Sequence, residues 1–355
     1  TPLQAAYYAS WGVIAAGVSQ AALLWWGVRK SGADVSLVLP RLTPAIKALI
    51  FLAIPGTIAA SVNQVNIFVS SILVSGVQGG RTWLAVCDRL YLLPQGLIGV
   101  AVGVALLPRL SRTVHAGDHE AGQAAIDEAV VFAMAFSLPA AAALLAMPYF
   151  LIDGLYTRGA FTSFDAHQTA SALLHYGWGV PAFVVSQIMS RVFFASQDTR
   201  TPMRYALISI VVNIAAGLIL FQFMSVSGIA AATSLAAWVN TAMMAATLMR
   251  RGLWRPSART TSRLARILAA SVALGALAGF ASHERPLIEG VLRAVKAGPL
   301  GAKELAVLGT SVAVMAVYPL LLFASGGMTV AEARSALRRR KGDTAAAPVG
   351  GADPG

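Results

Sequence analysis

Between Leu90 and Leu107 the sequence "LYLLPQGLIGVAVGVALL" carries no charged side chain. No other feature narrows the possible folds as much, because a helix needs about 20 apolar residues to cross hydrocarbon. Eight similar runs bring the expected spans to nine, near 5–28, 47–75, 82–107, 124–151, 168–194, 203–224, 228–249, 264–281 and 304–324. A soluble core would place polar residues at helical or strand spacing, and barrel strands would alternate over about 10 residues. Neither pattern is present. The composition agrees, with 12% charged residues against roughly 25% in soluble domains, and a mean hydropathy of +0.69. The expected fold is an all-α integral membrane protein, a polytopic helical bundle of about nine transmembrane helices.

The basic residues orient the bundle. With Arg29 and Lys30 on the cytoplasmic side, 19 of the 27 Lys and Arg residues fall inside and 6 outside, as the positive-inside rule requires. The outer six are Arg81, Arg158, Arg285, Arg293, Lys296 and Lys303; Arg89 and Arg191 remain within spans. The net charge of +12 therefore reads as topology and as contact with anionic lipid heads. Nucleic-acid binding is not expected, since no basic cluster is interleaved with aromatics. The connection "RRGLWRPSARTTSR" between the seventh and eighth spans is too polar to be buried. The outer connection "RPLIEGVLRAVKAG" puts Leu287, Ile288, Val291, Leu292 and Val295 on one face, as in a short helix lying on the membrane surface.

Chemistry-bearing motifs are scarce. Cys87 is the single cysteine, which leaves no disulfide framework and no thiolate metal site. His115 and His119 have helical spacing but lie in the polar stretch "TVHAGDHEAG", which reads as a solvated loop. No catalytic triad, phosphate-binding glycine loop or nucleotide fingerprint appears, so neither an enzyme, a metal nor a cofactor is expected. The opening "TPLQAAYYAS" has no features of a signal peptide and reads as a chain entered partway through. The end, "RRRKGDTAAAPVGGADPG", reads as a basic anchor followed by a disordered tail.

Polar residues inside spans are the functional candidates. Asp88, Leu92, Gln95, Gly99 and Gly103 share a helix face, and Gly99 and Gly103 form the small-xxx-small spacing of close helix contacts. Neighbours on a helix point about 100° apart, so Asp88 and Arg89 each seek a different partner. A substrate cavity suits Arg89 better than an interfacial anchor. Asn63, Asn66 and Ser70 repeat along the second span, where interhelical hydrogen bonding and cavity lining are equally good readings. Arg191 lies near the cytoplasmic end of its span and reads as a snorkelling structural residue. Asn213 and Asn240 read first as packing contacts; Asn213 and Thr233 are also the candidates for oxygens around a coupling cation.

Four segments carry a resemblance: "SVNQVNIFVSSILVSGVQGGRTWLAVCDRLYLLPQGLIGVAVGVALLPRLSR", "LYTRGAFTSFDAHQTASALLHYGWGVPAF", "SRVFFASQDTRTP" and "VSGIAAATSLAAWVNTAMMAATLMRR". In order and spacing they resemble the MurJ/MviN family of lipid II flippases, within the multidrug/oligosaccharidyl-lipid/polysaccharide exporter superfamily. The resemblance implies fourteen helices in two lobes that alternate access to a cationic cavity, with the nine spans here matching the sixth to the fourteenth. Residues 1–40 would then hold the last helix of a truncated first lobe, and 41–250 a six-helix transporter lobe. Residues 251–325 would form a two-helix groove for the lipid tail, and 326–355 a basic cytoplasmic tail. Asp88 and Arg89 match the family's Asp-Arg pair, and Thr82 its small hydroxyl residue; Leu92 stands where some relatives have an acid. The implied substrate is lipid II, a polyprenyl pyrophosphate-linked disaccharide peptide, in the bacterial inner membrane beside the cell-wall synthesis machinery. Substrate contacts are expected from Arg89, Asp88, Thr82, Gln95, Asn63 and Asn66. The rival readings are a drug or other polysaccharide-lipid exporter of the same superfamily, which would want acidic and aromatic cavity residues for cations, and a truncated scaffold that moves nothing.

Overall fold

The structure, a computed structural model, describes residues 2–31, 43, 46–47, 64, 67–96, 119–292 and 301–327. Its contacts divide the chain into Thr1–Ile54 and Pro55–Gly355. The first unit contains α1 (Pro2–Lys30), an apolar helix with a basic last turn. Arg29 lies 5.1 Å over the Trp25 ring and Lys30 5.0 Å over that of Trp26. Amphipathic rings under cations are the usual anchor at a membrane–water boundary.

The second unit holds α2 (67–74) and α3 (80–96), followed by α4 (His119–Ala146), α5 (Pro148–Tyr156), α6 (Ser163–Gly177), α7 (Val180–Ala195), α8 (Arg200–Met224), α9 (Val226–Arg250), α10 (Ala258–His283), α11 (Arg285–Leu292) and α12 (Ala302–Ala324). Among the described residues, α1, α4, α8, α9, α10 and α12 are each long and apolar enough to cross a membrane, and α6 with α7 makes a seventh, bent span. These match seven of the expected spans. The other two, 47–75 and 82–107, lie partly outside the described residues.

Helix α4 is central. Ile126, Ala129 and Ala133 pack with Val185, Ile188, Val192 of α7 and with Met244 and Leu248 of α9. On its other side Val131 and Ala135 meet Ile267, Ala270 and Leu274 of α10 and Tyr318 and Leu322 of α12. The Tyr318 hydroxyl donates to the carbonyl of Ala135 at 2.5 Å, which satisfies a polar atom inside the bundle.

The fifth expected span is not one straight helix. It breaks by 41° between α6 and α7, at "GWGVP". Pro181 has no amide hydrogen to continue the ladder, and a Cβ on Gly179 would lie 2.2 Å from Ser234 Oγ, so only glycine fits there. Carbonyls around the bend are taken by side chains of α9. Ser234 Oγ donates to His175 at 2.8 Å, Trp238 Nε1 to Trp178 at 3.0 Å and Thr241 Oγ1 to Ala182 at 2.9 Å.

The connection before α10 is polar, yet parts of it are buried. Asp127 of α4 accepts from Trp254 Nε1 and Thr260 Oγ1, each at 2.8 Å, and from the Ser257 amide at 3.2 Å. Trp254 and Thr260 are buried as a result. The segment reads as too polar to be buried, and Trp254 and Thr260 are the exceptions because a single carboxylate gives their donors somewhere to go. Beside it, Asp198 accepts from Thr201 and pairs with Arg251 Nη1 at 2.7 Å. Partial burial pushes the Asp198 carboxyl up, but the Thr201 hydrogen bonds and the Arg251 guanidinium outweigh this and hold it at about 2. That lies below the ordinary carboxylate value of about 3.9. The contribution is therefore present above about pH 4 and lost as pH falls toward 2. Amide exchange at Thr201 and Leu253, corrected for intrinsic rate, should be flat from about pH 7 to 4 and accelerate below. In Asp198→Asn that acid-dependent step should vanish; a step of equal size there would assign it to another group.

The outer connection also differs from expectation. Ile288 and Leu292 turn inward onto Met147, Phe150 and Val307, whereas Leu287 and Val291 stay exposed; Val295 lies outside the described residues. Charge docks the helix. Arg285 pairs with Asp153 of α5 and, at 2.5 Å, with Glu289, and its guanidinium sits 5.8 Å from the Tyr149 ring centre. Lys303 of α12 reaches the same Asp153 oxygen at 3.2 Å. Burial raises the Asp153 carboxyl, but Arg285, Thr157 and Lys303 together bring it below its ordinary value.

Candidate functional site

Helix α3 has two unlike faces. Gly79, at φ +84°, makes the tight turn from α2 into it. On the packed face Trp83 Nε1 donates to Asp165 at 2.9 Å and Cys87 Sγ to the Thr169 carbonyl at 3.3 Å. The Tyr91 ring stacks on Tyr176 at 4.4 Å and on Phe183 at 5.6 Å. Asp165 is held ready by a capping box with Thr162. These pairs run in the same order along both helices, so α3 lies parallel to α6, and Tyr91 reaches on to the first turn of α7.

The other face is exposed and carries Arg81, Thr82, Ala85, Arg89, Leu92, Leu93 and Gly96. Thr82 and Arg89 are seven apart, two turns along one side. Asp88 is half-buried at the edge of that face, hydrogen-bonded to Tyr91. Gln95 is half-buried too, and its Oε1 is buried with no partner among the described residues. Arg81 closes one end of an open groove of about 750 Å³ along α2, lined by Gln64, Phe68, Ser71 and Ser75. Asn63 and Asn66 lie outside the described residues. So do Gly99 and Gly103.

This wall contrasts with α8, whose exposed side is apolar through Leu207, Val211, Leu218, Ile219 and Phe223. Lipid suits α8. It does not suit a helix showing two arginines and a threonine beside the serines of α2; a water-filled space does. The two ion-coupling candidates come together where α8 meets α9. Thr233 Oγ1 lies 3.4 Å from Asn213 Oδ1 and also donates to the Ile229 carbonyl at 2.9 Å. The Tyr91–Tyr176–Phe183 stack was not anticipated. Its only signal is aromatic residues at matching depths of two spans that enter the membrane in the same direction.

A family model described as lipid II flippase MurJ matches residues 1–292. The chain belongs to the MurJ lipid II flippase family. A probable lipid II flippase MurJ of Rhizobium tropici is 38% identical over 96% of this chain and 63% of its own length. One from Rhizobium meliloti is 36% identical over 94% and 61%. The chain thus spans about three fifths of these relatives. A solved lipid II flippase MurJ in an inward closed conformation shares its fold, at TM-score 0.63 and 22% identity over 84% of this chain and 58% of that one.

Proposed function

We propose that this chain is the C-terminal part of a flippase that moves lipid II from the cytoplasmic to the periplasmic leaflet of a bacterial inner membrane. The observation that carries the reading is Arg89: a cation in the expected third span, exposed, on the face of α3 turned away from the packed core. A guanidinium stays charged and offers two parallel donors to a pyrophosphate. Thr82 adds a hydroxyl on the same side, and the half-buried Asp88 and Gln95 border it. Asn63 and Asn66 would extend the polar wall along the second span. The exposed apolar sides of α10 and α12, with Val272, Phe280, Val312 and Met315, would take the lipid tail. Asn213 and Thr233 would give two oxygens to a coupling cation, with main-chain carbonyls completing the set.

Alternating access needs two halves rocking about a site. The test therefore uses a chimera in which the first lobe that the resemblance implies, taken from the Rhizobium tropici relative, precedes residues 1–355. In a strain depleted of its own flippase, the chimera should restore growth and outer-leaflet lipid II, and the 355-residue chain alone should not. Rescue by the short chain would overturn the two-halved mechanism. A well-expressed chimera that leaves lipid II on the inner leaflet would overturn the flippase reading.

A further inference from the structure

Arg89 has a deeper neighbour. Trp83 and Cys87 set α3 against Asp165 and Thr169 of α6, and Tyr91, stacked on Tyr176 of α6 and Phe183 of α7, carries that register across to the start of α7. One turn further inward, at about 1.5 Å per residue, Gln95 of α3 comes level with Gln187 of α7. Arg191 follows one turn below Gln187, on the same stripe as Phe183. Phe183, Gln187 and Arg191 are all half-buried, whereas Val184, Val185, Ile188 and Met189 between them are buried in the core. A helical side chain leans back toward its N-terminus, which carries the Arg191 guanidinium outward toward Gln187 and Gln95.

Two buried polar atoms near this level lack a partner among the described residues, and they do not bond each other. Arg191 Nη1 is buried without an acceptor among the described residues, and Gln95 Oε1 is buried without a donor. A plain interfacial anchor would send its guanidinium into water or onto a main-chain carbonyl. An unsatisfied guanidinium nitrogen inside a bundle is costly, and it is relieved when an anion arrives. The sequence that follows α3, "LIGVAVGVALL" from Leu97 to Leu107, has no polar side chain that would serve instead.

We propose that Arg191, flanked by Gln95 and Gln187, is an inner anion station: it takes the pyrophosphate on the cytoplasmic side of the path before Arg89 does. This rests on the flippase reading above and adds a second cation to it. Arg191 lies about ten residues of helix rise, on the order of 15 Å, inward of Arg89. Arg81 stands about 12 Å outward of it. The phosphate groups would thus pass guanidinium to guanidinium along one wall, with no step leaving them unpaired in the bilayer.

The decisive variant leaves Arg191 in place. Gln187→Glu is nearly isosteric and puts a carboxylate one turn N-terminal to Arg191, where it pairs with the guanidinium and repels phosphate. In the purified chimera, titrated with undecaprenyl pyrophosphate, Gln187→Glu and Arg191→Gln should each weaken binding by about tenfold or more. Arg191→Lys should fall between them and the parent, having charge without the fork. Arg89→Gln is the reference. If the parent does not bind the probe, or Arg89→Gln binds as the parent does, the flippase reading itself fails. If Arg89→Gln weakens binding while Gln187→Glu retains parental affinity, the inner station alone is overturned. Gln187→Glu still decides the matter should Arg191→Gln not fold.

Discussion

Arg89→Ala in the chimera should abolish growth of flippase-depleted cells while leaving the amount of folded protein unchanged. The two outcomes separate because Arg89 is exposed and outside the packed face of α3, so its removal opens no cavity. What is lost is a charged, two-pronged contact to phosphate, worth on the order of 2–5 kcal/mol when water is excluded around it. Arg89→Lys keeps the charge and loses the fork, and should transport far more slowly than the parent. Growth complementation, an immunoblot for expression and protection of lipid II in the outer leaflet measure the three quantities. A normally expressed Arg89→Lys variant with parental flipping would reduce Arg89 to an interfacial anchor, for which length and charge suffice.

The largest stability effect is expected at Asp153. Its carboxylate is 3% exposed and is shared by Arg285 and Lys303. Asp153→Ala leaves Arg285, itself only 15% exposed, with Glu289 alone, and breaking a buried pair in this way costs about 3 kcal/mol or more. Lys303→Met removes a partner that is 48% exposed, so its effect should stay below about 1 kcal/mol. Apparent Tm in detergent should fall by several degrees in the first variant and barely move in the second. Equal shifts would mean that Asp153 does not fasten α11 and α12 to α5.

The spans were readable because lipid admits so few solutions: continuous apolar runs must be helices, and their basic flanks must face inward. The break between α6 and α7 was not readable, although "GWGVP" was in plain view. A proline and two glycines permit a bend, but its fate depends on Ser234, Trp238 and Thr241, which lie about 60 residues away in sequence. The site shows the same division. Helical spacing puts Asp88 and Gln95 on one stripe and Thr82 and Arg89 on another. Which stripe packs is decided by Asp165, Thr169 and Tyr176 of α6, and no local pattern reports that. The outer helix followed suit, since the buried Asp153 that turns Ile288 and Leu292 inward lies 132 residues from Arg285.

The donors of α9 bear on electrical insulation. A bent helix in mid-bilayer normally exposes carbonyls that draw a thread of water, and such a thread conducts protons. Here the carbonyls of His175, Trp178 and Ala182 are already taken by a hydroxyl, an indole and a second hydroxyl. Three acceptors at the bend are thus withdrawn from water, which favours a drier seam between α7 and α9. Less water at a bent helix means a weaker path for protons through the bilayer.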